Sequence, residues 1–228
     1  MEKLKLNKKI KLLIACDGGA ASGKTTGAKL ISKKYGLKFL SSGMLYRLAS
    51  YQLLKYKPKN KFLFLKKMFS NLSLNKLNNI NLHSAKVSEN TSIIAKEKKI
   101  RLILKLFQKK FANKFNKVCI EGRDIGTVIL PKADIKFFFK CDLNTAAKRR
   151  FKELKKNKSE TSLSSVKQSL KIRNYRDISR KNSPLLKSSD AIIVDTGNLR
   201  NISSMISRMS EIVERKLLLK YGRNFKAK

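Results

Sequence analysis

Short apolar runs punctuate this chain at wide intervals: KLLIACD at 11–17, KVCIEG at 117–122, IKFFFKCD at 135–142 and DAIIVDTG at 190–197, with a briefer KFLSSG near residue 40. Their apolar residues are consecutive rather than alternate, the pattern of strands covered on both faces in a parallel sheet. Stretches of helical character lie between them, at 24–35, 43–56, much of 86–115, 143–157, 162–182 and 199–220. Strands alternating with helices predict an α/β fold of right-handed βαβ units. The predicted architecture is a central, mostly parallel five-stranded sheet flanked by helices in three layers, with ligands beyond the carboxyl ends of the strands.

Residues 57–91 break this rhythm, joining KFLFLKKMF to the Asn-, Ser- and Leu-rich NLSLNKLNNINLHS without a glycine. They read as an insertion or mobile cap within a single domain spanning 1–228. At 228 residues the chain is long enough for one enzyme-sized core and too short for two large ones.

Charge changes the picture only partly. Lys and Arg total 54 against 15 acidic residues, a formal net charge of +39. A polyanionic partner is one reading. The lysines recur from Lys3 to Lys228 without gathering into one stripe, which is the pattern of a compositional bias, and either way small anionic substrates are drawn in. No stacking motif for single strands and no recognition helix accompanies the charge, so nucleic acid is not expected as a partner. Cys16, Cys119 and Cys141 lie in or beside apolar runs without metal-ligand spacing and read as reduced thiols. No apolar run approaches the ~20 residues of a membrane span, and the basic N-terminus lacks a leader's long apolar stretch. A cytoplasmic, soluble monomer is expected.

The most specific chemistry lies in Gly18-Gly19-Ala20-Ala21-Ser22-Gly23-Lys24-Thr25, which matches GxxxxGK[ST] directly after the apolar run Leu12–Ala15. This places a P-loop between a strand and a helix. Backbone N–H groups from Gly18 through Thr26 would cradle the phosphates of ATP, helped by the N-terminus of the following helix. Lys24 would span the β- and γ-phosphates, and the Thr25 hydroxyl would bind Mg²⁺.

Further along stand Ser41-Ser42-Gly43-Met44-Leu45-Tyr46-Arg47, then Glu121-Gly122-Arg123-Asp124-Ile125-Gly126-Thr127 with Val128-Ile129-Leu130-Pro131-Lys132-Ala133 after it. Arg173, Asp177 and Arg180 follow, with Ser183-Pro184-Leu185 and Ser189-Asp190-Ala191. Together with Ser92 and Arg101, these segments cover nearly the whole chain. In them the chain resembles the bacterial cytidylate kinases, P-loop nucleoside monophosphate kinases with SGxxYR and GRDxGT segments.

The resemblance implies transfer of the ATP γ-phosphate to CMP or dCMP, giving ADP and CDP or dCDP. It implies that Ser92, Arg101 and Asp124 read the cytosine edge, that Arg173 and Asp177 hold the sugar, and that Arg47, Arg123 and Arg180 clamp the acceptor phosphate. Ser42, Gly43 and Tyr46 would line the acceptor, and Lys24, Arg123 and Arg180 would neutralise the transferring group. Glu121 is read either as holding a water on Mg²⁺ or as a solvated strand-end carboxylate. Arg149, Arg150 and the lysines that follow would begin a short lid, about 149–160.

Two departures stand out. Gly19, Ala20 and Ala21 occupy positions where the family commonly has Pro, Ser and Gly, and Thr25 one where it commonly has Gly. His83 stands where an arginine is common. The rival readings are a kinase of the same fold for UMP, AMP or a small hydroxyl acceptor, and a nucleic-acid-binding protein whose affinity would fall steeply with salt.

Overall fold

The computed structural model describes residues 3–72, 82, 84–156, 160–197 and 201–227. The chain folds as two compact units, Met1–Leu40 with Phe115–Lys228, and Ser41–Lys114.

In the first unit five strands form one sheet: β1 (Leu12–Gly18), β2 (Lys38–Ser41), β3 (Lys117–Gly122), β4 (Ile135–Lys140) and β5 (Ile192–Asp195), in the order β2-β3-β1-β4-β5. The pairs β1–β3, β1–β4 and β4–β5 are parallel, with Leu12 opposite Lys117 and Ile14 opposite Ile135. The helices of this unit are α1 (Lys24–Tyr35), α6 (Leu143–Lys156), α7 (Leu163–Ser179) and α8 (Ile202–Tyr221). The predicted sheet and its flanking helices are therefore present.

The reason is burial. Ile14, Cys16, Cys119, Phe137, Phe139 and Val194 turn one face of the sheet toward Ala28 and Ile31 of α1 and Met205, Met209, Val213 and Leu217 of α8. The last four recur every four residues, a stripe along the face with which a helix covers a sheet. A smaller cluster joins Ala146 and Ala147 of α6 to Val166 and Leu170 of α7 and to Ala20. Local signals set the helix ends: Gly36, at φ 64°, closes α1 and donates its N–H to the Ser32 carbonyl, and the Asn201 side chain caps α8 by accepting the Ser204 N–H.

The second unit holds α2 (Ser42–Tyr56), α3 (Lys61–Ser70), α4 (Ala85–Ile94) and α5 (Lys98–Lys114). KFLFLKKMF is a regular helix rather than irregular chain. Leu65 and Phe69 are buried on one face four residues apart, and Asn60 caps the first turn by accepting the Leu63 N–H. The expected helix over 86–115 is interrupted at 95–97, where α4 ends and α5 begins. The predicted helix at 162–182 stops at Ser179, since Arg180 is already extended at ψ 135° and Ser183 sits at φ 52°, just before Pro184. One feature had no sequence signal: residues Ile125–Ile129 form a π-helical turn.

Candidate active site

The P-loop follows β1 without a spacer, and its conformation is dictated by what surrounds it. Gly18 has φ 154°, and a Cβ there would lie 2.4 Å from the Phe139 carbonyl oxygen of β4, so only glycine fits. Gly23 opens α1 at φ 77°. Ala21, at φ 57°, holds the left-handed region with an L side chain, at the position where glycine was noted as common.

Three side chains anchor this loop. Asn174 on α7 accepts the Ala20 N–H at 3.1 Å, the Ser22 hydroxyl donates to the Gly19 carbonyl at 3.0 Å, and the Thr196 hydroxyl, just past β5, donates to the Ser22 carbonyl at 3.0 Å. Arg149 in turn grips Thr196 twice, on Oγ1 and on the backbone carbonyl, both at 2.8 Å. Arg149, expected in a lid, thus braces the P-loop. Arg150 pairs with Glu153 at 2.8 Å, α6 continues to Lys156, and the expected lid residues 157–159 lie outside the described residues.

Lys24 and Glu121 are both buried, at 7% and 4% exposure, and their charges meet at 3.1 Å between the start of α1 and the end of β3. Glu121 is therefore not a solvated strand-end carboxylate. Burial lowers the Lys24 pKa and the Glu121 charge opposes that effect, while Arg123 and Arg173 add to it. Thr25 and Thr26 are exposed in the first turn of α1.

The turn after β3 is tied to β1 through Asp17, which the sequence reading passed over. Its two carboxylate oxygens accept the N–H groups of Ile125 and Gly126 at 2.8 and 2.7 Å. Burial raises the Asp17 pKa from 3.8 to about 6, the two backbone bonds pull it down, and the neighbouring charge of Asp124 pushes it up. Asp124 itself is buried at 5% exposure.

Arg123 from this turn donates Nε to Asp177 Oδ2 at 2.7 Å, and Arg180 approaches Asp177 Oδ1 at 3.4 Å. Burial pushes the Asp177 carboxyl up, but Arg123, Arg173 and Arg180 outweigh it and hold the group below the usual carboxylate range. Two guanidiniums are thereby fixed on one carboxylate, a preorganised anion-binding arrangement. Asp177, expected to hold the sugar with Arg173, is gripped by Arg123 and Arg180, and the exposed Arg173 adds a further positive charge.

In the second unit, Ser41 caps α2 by accepting the Met44 N–H at 3.4 Å, which places Ser42 and Gly43 in the first turn. Arg47, one turn further, is buried and donates to the Leu82 carbonyl and to Ser88 Oγ, each at 2.8 Å. Arg101 on α5 donates to the Ala95 carbonyl at 3.2 Å and lies over the Tyr46 ring at 5.7 Å. The Ser92 hydroxyl donates to the Glu89 carbonyl at 2.7 Å. His83 falls outside the described residues.

Known proteins match this chain along most of its length. The sequence pattern of the family described as Cytidylate kinase matches residues 14–215. A cytidylate kinase of Fusobacterium nucleatum is 36% identical over 219 residues, covering 90% of this chain and 98% of that protein. One of Bartonella tribocorum is 38% identical over 192 residues, covering 82% and 87%. Among solved structures, an uncharacterized protein of Eubacterium ventriosum shares the fold, with a TM-score of 0.54 at 16% identity over 90% of this chain and 99% of that one. With its P-loop, its GRDxGT turn and this match along most of its length, the chain belongs to the cytidylate kinase family.

Proposed function

We propose that this protein transfers the γ-phosphate of ATP to CMP or dCMP. An oxygen of the acceptor phosphate attacks the γ-phosphorus, the bond to the β–γ bridging oxygen breaks, and ADP leaves with that oxygen. The nucleophile is already anionic near neutral pH, so no general base is required, and catalysis rests on alignment and charge neutralisation. The observation that carries this reading is the fixed pair Arg123 and Arg180 on Asp177, in the same unit as a P-loop whose Lys24 is held by Glu121.

Gly18 through Thr26 cradle the ATP phosphates, and Lys24 exchanges Glu121 for phosphate oxygens as ATP arrives. Arg123 and Arg180 hold the acceptor phosphate and the transferring group, and Asp177 and Arg173 hold the sugar. The buried Asp124 accepts from the cytosine amino group. On the family pattern, Ser92 and Arg101 belong to base recognition, Arg47 to the acceptor phosphate, and Ser42, Gly43 and Tyr46 to packing beside the acceptor.

Mg²⁺ accompanying ATP takes oxygen ligands, keeps several waters and uses few protein groups when phosphates supply the rest. The donors here fit that description: the exposed Thr25 hydroxyl and Glu121, with no trio of His, Cys, Asp or Glu able to hold a metal among the described residues. Bound there, the ion neutralises phosphate charge. Among the described residues no helix is long and apolar enough to cross a membrane, in keeping with a cytoplasmic site of action.

The test is ADP production from Mg-ATP with CMP, dCMP, UMP and AMP, using wild type, Lys24→Ala and Asp124→Ala. Turnover should be greatest with CMP or dCMP, vanish in the first variant and lose base selectivity in the second. Equal turnover of all four acceptors, or none of any, would refute the proposal.

A further inference from the structure

Lys136 is out of place in β4. Ile135, Phe137 and Phe139 of that strand face the core under α1 and α8, and Lys136 points to the other side of the sheet, yet it is only 6% exposed. A lysine is almost never so buried unless its ammonium is paired. Its partners lie on one short segment: Asp190 Oδ1 at 2.9 Å and Ser188 Oγ at 3.2 Å, with the Ser188 hydroxyl donating in turn to the Asp190 carboxylate.

That segment is the end of a loop that begins at Arg180. At the start of the loop Arg180 Nε donates to the Ser183 carbonyl at 2.6 Å, and the Leu185 N–H donates to the Asp177 carbonyl at 2.7 Å. Lys136 fastens the other end. The methylenes of the same side chain run along the turn after β3: a Cβ built on Gly126 would lie 3.1 Å from Lys136 Cδ, and 3.3 Å from the Asp17 carboxylate that fixes this turn. The turn carries Arg123 and Asp124.

We infer that Lys136 is a positioning residue for acceptor binding: its stem braces the turn that presents Arg123, and its ammonium holds the loop that follows Arg180. Its ammonium is engaged by Asp190 and Ser188. It acts by fixing two backbone segments from one point in the sheet, so that the two guanidiniums stay at their spacing around Asp177. The inference rests on the kinase reading proposed above, and it predicts an effect confined to the acceptor side.

The experiment is steady-state kinetics of the full chain as wild type, Lys136→Met, Lys136→Arg and Asp190→Asn, with thermal unfolding recorded for each. Lys136→Met keeps the stem and removes the charge. Because displacement of a positioned group by about 1 Å can cost up to ~100-fold, KM for CMP should rise about tenfold in Lys136→Met while KM for ATP stays within about twofold. Lys136→Arg should recover most of the loss. Asp190→Asn alters a carboxylate whose side chain is 59% exposed, so it should fold normally and shift the acceptor KM in the same direction. Should Lys136→Met fail to fold, Asp190→Asn decides. The inference is overturned if folded variants keep the wild-type KM for CMP, or if the constants for ATP and CMP move together with a falling unfolding temperature. Wild-type protein that turns over neither CMP nor dCMP overturns the kinase reading, and the inference with it; active wild type with indifferent variants overturns the inference alone.

Discussion

Asp17 ties stability to pH in a direction opposite to that of most carboxylates. Burial raises its pKa from 3.8 to about 6, so the folded state binds a proton that the unfolded chain releases. Between those two values the folded state holds more protons, and stability falls as pH rises. The Asp17 contribution is fully present below 3.8 and is lost as pH passes through about 6. At 1.36 kcal/mol per unit the shift corresponds to roughly 3 kcal/mol.

Asp17→Asn isolates this term. The amide offers one carbonyl oxygen to the two N–H groups of Ile125 and Gly126 and leaves one unmet, a loss of about 1–3 kcal/mol that does not depend on pH. Urea unfolding followed by circular dichroism, for both proteins from about pH 4 to 7, gives the difference in stability at each pH. Wild type minus variant should shrink by roughly 2 kcal/mol across that range. A flat difference would mean that Asp17 titrates normally, and a widening one would reverse the assigned cause; either result refutes the reasoning.

Lys24→Met leaves the buried Glu121 carboxyl without the ammonium it meets at 3.1 Å and should lower stability by about 3–5 kcal/mol, while Lys24→Met with Glu121→Gln recovers most of that loss in urea unfolding without restoring activity. Thr196→Val removes the hydroxyl that holds the Ser22 carbonyl and receives Arg149. It should raise KM for ATP about tenfold, in line with a lost buried hydrogen bond of ~1–3 kcal/mol, with KM for CMP unchanged and Thr196→Ser recovering; an unaltered ATP constant contradicts the anchoring role. Ala21→Gly relieves a left-handed backbone that costs an L residue ~1–2 kcal/mol, offset by ~0.4–1 kcal/mol of added unfolded-state freedom. Its unfolding temperature should rise by a few degrees at most, and a clear fall would show that Ala21 is not strained.

Much of the fold was legible because consecutive apolar residues in β1, β3 and β4 have few other uses, and because GxxxxGK[ST] constrains its own surroundings. The interruption at 95–97 was not, since α4 and α5 continue each other's composition across it. KFLFLKKMF hid its helical period because the exposed Leu63, with Phe64, adds apolar residues off the buried face of Leu65 and Phe69. Within the site, Arg123, Asp177 and Arg180 could be named through the family resemblance, whereas their shared contact is tertiary. Asp17 carried a faint signal as the acid closing an apolar strand. Asn174 and Thr196 carried none, since a polar residue on a polar helix or past a strand end is unremarkable until the P-loop is seen to lean on it. Lys136, inside IKFFFKCD, read as one more lysine in a lysine-rich chain.

The strand order also sets a timetable for synthesis. β1 and the P-loop emerge before the strands that flank β1, β3 and β4, and Leu12 has no strand partner until Lys117 has been made. Phe139, against which Gly18 is packed, comes later still, and Asn174 and Thr196 later again. A nascent chain therefore carries β1 without both of its neighbouring strands until Lys140 has been made, and its P-loop without the Thr196 anchor until later still.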